Sequence, residues 1–143
     1  MNSILKTILA FFYREEKSPP LNSGDFITNL SDGDNLVNKK QTWEHAEVGK
    51  DDIRLMKECC DAEIRSSMKS NFVPAPFYFR RVAILSRKNK DYEQELRYCN
   101  LYLKALSKAK GKNVAVQVEA LSESFVKRAH KVESILSKIE IKN

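Results

Sequence analysis

Between Pro74 and Leu106 the chain reads PAPFYFRRVAILSRKNKDYEQELRYCNLYLKAL, two apolar stripes at helical spacing joined by a short polar run. This pattern limits the fold, because a short connection between two amphipathic helices favours their antiparallel packing. Pro74 and Pro76 suit a helix start, where proline's fixed φ fits the first turn and its missing N–H is not needed. Tyr78, Val82 and Leu85 then fall at i, i+4 and i+7, and Phe79 and Ala83 widen the stripe. The run from Ser86 to Lys90 interrupts it. Tyr92, Leu96, Cys99, Leu103 and Leu106 restart the spacing, with Tyr98, Tyr102 and Ala105 beside them. Asp91 stands where an N-cap carboxylate would accept the orphan amides of the second helix.

Phe79, Val82, Ala83 and the Asp91-Tyr92 pair at the turn make the segment resemble a single tetratricopeptide repeat, over about 33 of the 143 residues. It departs from that family's pattern in three places. Glu95 and Tyr102 stand where small residues are usual, and no proline closes the unit. Larger groups there would hold the two helices further apart. The resemblance implies a helical hairpin whose opening helix lines a ligand groove. One such unit cannot cover its own apolar faces, so neighbouring helices must do so.

The rest of the chain points the same way. Only four glycines and four prolines occur among 143 residues, of which 42% are hydrophobic and 31% charged. That composition suits an all-α chain, a small helical bundle built around the hairpin. Asp51 to Ser67 predicts a helix with Asp51 and Asp52 at its positive end and Ile53, Met56, Cys60, Ile64 and Met68 on its buried side. Thr42 to Val48, with Trp43 and His45, predicts a short helical turn. A long final helix is expected from about Asn113 to Ile139, with Arg128 interrupting its stripe of Val118, Leu121, Phe125, Val132, Ile135 and Ile139. Packing on the hairpin is its expected use, and homodimerisation is the alternative.

Two N-terminal segments differ from this. Residues 1–16 open with an apolar helix candidate, Met1 to Tyr13, shorter than the ~20 residues that span a bilayer and without the basic start and cleavage site of a secretory signal. It is expected to pack on the core, with peripheral membrane contact or partner docking as the alternative. Residues 17–40 carry Pro19-Pro20, Asn22-Ser-Gly-Asp and Ser31-Asp-Gly-Asp, which is turn chemistry, so an irregular linker is expected before a helical domain at 41–143. The Asp-Gly-Asp run lacks the closing glutamate of a calcium loop, so no metal is expected. Cys59, Cys60 and Cys99 form neither a CxxC pair nor a disulfide framework, and a reducing cytoplasm is the expected compartment.

Function is read from charge. Residues 1–72 hold 10 Lys/Arg against 12 Asp/Glu, a net −2; residues 73–143 hold 15 against 7, a net +8. The basic half can steer an acidic partner. Arg80, Ile84, Arg87 and Lys88 share one face of the opening helix at i, i+4, i+7 and i+8, on the positions that line the groove in the resembled family. They are the candidate partner-binding residues, since arginine's planar fork pairs with carboxylates and phosphates. The competing reading is solvated charge, with Arg81 and Glu95 paired inside the hairpin. Lys104, Lys108, Lys110 and Lys112 form a second basic group around Gly111, able to meet phosphate or acidic side chains. His45 and His130 lie far apart, each expected at a surface or cap, and no phosphate loop or nucleophile motif occurs. A non-enzymatic adaptor or inhibitor module without cofactor is therefore expected, docking an acidic segment of a partner protein. The alternative is a nucleic-acid-binding protein using Arg80, Arg81, Arg87, Lys88 and Lys90, with Tyr98 and Tyr102 for stacking.

Overall fold

The computed structural model describes residues 23–70, 72–110 and 118–143. The expected N-terminal helix, the first residues of the expected linker and Lys112 lie outside the described residues, as does the side chain of Lys110. Among the described residues, six helices and one two-stranded hairpin follow in order: α1 (Ser23–Leu30), β1 (Leu36–Val37), β2 (Lys40–Gln41), α2 (Thr42–His45), α3 (Ile53–Ser70), α4 (Pro76–Lys88), α5 (Tyr92–Lys110) and α6 (Val118–Ile141). The fold is the all-α small bundle that the sequence predicts. No helix among the described residues is long and apolar enough to cross a membrane.

The hairpin forms as its residues dictate. Pro76 occupies the first turn of α4, behind Ala75 in extended conformation. At the other end the Lys90 amide donates to the Arg87 carbonyl (3.0 Å) and the Asp91 amide to the Ser86 carbonyl (2.9 Å), with Lys90 at φ 57°. This paired closure satisfies the last carbonyls of α4 and reverses the chain. Asp91 then caps α5, its Oδ1 accepting from the Gln94 amide at 3.0 Å. Asp52 caps α3 in the same way through the Leu55 amide (3.1 Å).

The helices pack in sequence order, α3 on α4, α4 on α5 and α5 on α6. Three rings fill the centre: Phe79 of α4, Tyr102 of α5 and Phe125 of α6, with centroids 4.9 Å and 4.4 Å apart along the row. Tyr102, one of the departures from the repeat pattern, is fully buried and donates its hydroxyl to the Pro74 carbonyl at 3.1 Å. Its size is thus used: the ring spans the gap that a small residue would leave between α4 and α6. Val82, Ala83, Cys99, Leu106 and Ala129 belong to the same core cluster.

The linker expected at 17–40 is corrected over its described part. Residues 23–30 are helical, and the Ser31-Asp-Gly-Asp turn chemistry is the stop signal of that helix. Asp32 (φ 53°) and Gly33 (φ 82°) turn left-handed, and the Gly33 amide reaches the Thr28 carbonyl at 2.9 Å. A two-residue turn follows, Asn38 (φ 50°) and Lys39 (φ 64°), joining β1 to β2 with Leu36 opposite Gln41 and Val37 opposite Lys40. The segment is fastened to α3 rather than set before it. Lys69 reaches Asp34 (2.9 Å), Phe26 packs edge-on against Phe72, and Thr42 donates to Glu63 (2.6 Å). His45, expected at a surface or cap, is buried, and its Nε2–H donates to the Val37 carbonyl at 2.8 Å.

Candidate functional site

Glu95 organises the site. It lies one turn into α5, fully buried, at the position where the repeat pattern calls for a small residue. A buried carboxylate loses several kcal/mol of hydration unless cations and donors replace the water. Two arginines do so from two other helices. Arg87 of α4 donates through Nε to Oε2 (2.5 Å) and through Nη2 to Oε1 (3.0 Å). Arg128 of α6 donates through Nη1 to the same Oε1 at 2.7 Å. Both arginine side chains stay about 30% exposed (29% and 30%), while the guanidinium edges that bond Glu95 face the buried carboxylate. The bonds to Glu95 raise the Arg87 pKa above its already high ordinary value, so its charge is permanent.

The two arginines border a cavity of about 290 Å³ between α4 and α6, lined by Arg87, Ser124, Lys127, Arg128 and Lys131. Lys127 also pairs with exposed Glu123 at 2.7 Å. Further along the same seam the Arg80 guanidinium lies 5.7 Å from the centroid of the Phe125 ring. Contacts therefore climb α4 and α6 together, Arg80 with Phe125 and then Arg87 with Arg128 through Glu95.

The predicted residues are distributed as follows. Arg80 and Arg87 both meet α6, but only Arg87 lines the cavity. Ile84 is half-buried and Lys88 exposed on the same helix. The Arg81–Glu95 pair of the competing reading does not form. Arg81 donates instead to the Lys50 carbonyl (2.9 Å) and to Asp51 (2.6 Å), tying α4 to the turn before α3. Lys104 and Lys108 belong to a different place, the rim of an apolar cavity of about 440 Å³ between α3 and α5, floored by Ile64, Met68, Leu101 and Ala105. Tyr98 and Tyr102 are core residues, at 9% and 0% exposure, with no face open to a base.

The sequence points to none of Lys127, Arg128 and Lys131 as site residues, nor to Glu95 as the residue that joins Arg87 to Arg128. Two signals were present. Arg128 breaks an apolar stripe and Glu95 breaks a small-residue position, and an ionised group inside a core face requires a partner of opposite charge. The two anomalies answer each other. Compared with protein-family models, with curated proteins and with solved structures, the chain matches none.

Proposed function

We propose that the protein is a non-enzymatic interaction module, an adaptor or inhibitor, that docks an acidic segment of a partner protein along the α4–α6 seam. One observation carries this reading: a single buried carboxylate fixes two arginines from two helices side by side at the mouth of a basic cavity. Side chains held in place before binding lose little conformational entropy when an anion arrives. Arg80, Ile84 and Lys88 continue the surface along α4, an apolar residue between two cations, which suits a segment carrying carboxylates at intervals. The tetratricopeptide resemblance, which implies a ligand groove along the opening helix α4, supports the same reading. The nucleic-acid reading loses its stacking platform, because the tyrosines it relied on are buried.

The test is fluorescence anisotropy of a labelled twelve-residue peptide rich in glutamate. Wild type should bind it, and Lys127→Glu/Lys131→Glu should lower affinity about tenfold or more without changing the circular dichroism spectrum, since both lysines are exposed. A labelled DNA duplex bound more tightly than the peptide, with a steep dependence on salt, would sink the reading.

A further inference from the structure

We infer that the group docked in the cavity, against the edges of Arg87 and Arg128 turned away from Glu95, is a phosphoryl group on a serine or threonine of the docked segment, an inference that rests on the docking reading above. Charge is the first argument. Arg87, Lys127, Arg128 and Lys131 bring four positive charges to one cavity, and Glu95 and Glu123 return two, leaving +2. A side-chain carboxylate offers −1, whereas a phosphate monoester carries about −1.5 to −2 at pH 7. The second argument is donor geometry. Arg87 and Arg128 belong to different helices, yet both bind Oε1 of Glu95, at 3.0 and 2.7 Å, so their guanidiniums converge. The converging edges are taken by Glu95, but the shared oxygen holds the two guanidiniums close together, so their remaining N–H groups can meet one acceptor with three free oxygens. Glu95 itself cannot serve as the exchangeable anion, because it has no exposure. Size is the third argument, for about 290 Å³ admits a phosphorylated side chain.

The deciding experiment uses the full chain and four probes: a nine-residue peptide with a central serine flanked by glutamates, the same peptide phosphorylated, inorganic phosphate, and a single-stranded oligonucleotide of equal charge. Phosphorylation should tighten peptide binding about tenfold or more at physiological ionic strength. That gain should vanish in Lys127→Gln/Lys131→Gln, which leaves the bonds of Arg87 and Arg128 to Glu95 intact. The phosphopeptide should also shift the Nε–H NMR resonances of Arg87 and Arg128. Inorganic phosphate should bind at least tenfold more weakly than the phosphopeptide, since it makes no contact along α4. Equal binding of the two peptides overturns the phosphoryl assignment and leaves acidic docking standing. Binding of neither peptide removes both. A gain that survives the lysine substitutions, or inorganic phosphate matching the phosphopeptide, overturns the proposed seat. An oligonucleotide that binds as tightly as the phosphopeptide assigns the cavity to nucleic acid instead.

Discussion

Glu95 shows what one residue decides in this molecule. Its carboxylate has no contact with water, and three charge-assisted hydrogen bonds from Arg87 and Arg128 stand in for the lost hydration. Those bonds also fix where the two arginines sit, so the same residue supports the fold and shapes the cavity. Glu95→Gln keeps the volume but removes the charge and turns half of an acceptor into a donor facing a guanidinium. Both arginines are partly exposed and can recover some hydration, which moderates the loss. The expected cost is about 2 kcal/mol, measured as a lower urea midpoint with an unchanged m-value. Lys127→Gln, at the exposed rim of the same cavity, should stay within about 0.5 kcal/mol of wild type.

At the scale of elements, local signals were read well where they are local. The start of α4 at Pro76, the Asp91 cap of α5 and the Asp52 cap of α3 depend on neighbours a few residues away, and the sequence displays them. Over residues 23–40, the described part of the expected linker, the structure differs for an equally physical reason. Turn-forming residues there suggest a linker, whereas Asp32-Gly33 ends a helix and Asn38-Lys39 makes a tight hairpin without the glycine that usually marks one. Left-handed backbone at non-glycine residues also marks a cost. Lys90 holds φ 57° at the closure of α4, where a side chain costs roughly 1–2 kcal/mol relative to glycine. Lys90→Gly should therefore raise stability by about 0.5–1 kcal/mol after the added freedom of the unfolded chain is subtracted. Thermal unfolding followed by circular dichroism checks this, and a lowered midpoint would show that the Lys90 side chain makes a compensating contact.

The whole molecule is held by helices packed in chain order around one row of rings, with three free cysteines buried beneath α3 and α5. Burial pushes the Cys59 thiol up to about 12 and the Cys99 thiol up to about 11; Cys60 is raised too, again chiefly by burial. The linkage follows from the sign. Folded-state values lie above the unfolded ones, so the unfolded chain loses its thiol protons first. Stability from this source is complete below about pH 9 and declines as pH climbs through 11 and 12. Native protein at pH 8 should accordingly react with a thiol-specific chromogen slowly at all three sites and rapidly once unfolded in guanidinium. Fast labelling of the native chain would contradict the packing of α3 against its neighbours. The sequence alone determined the helices from Asp51 onward, the α4–α5 hairpin and the basic character of the C-terminal half, because periodicity, caps and charge are properties of near neighbours and of composition. Only tertiary structure decided that Glu95 meets Arg128 across 33 positions, that Arg81 turns to Asp51, and that the lysines of α5 and α6 serve separate cavities. Such pairings depend on the rotation and depth at which helices settle against one another, which residue spacing within a single helix does not encode.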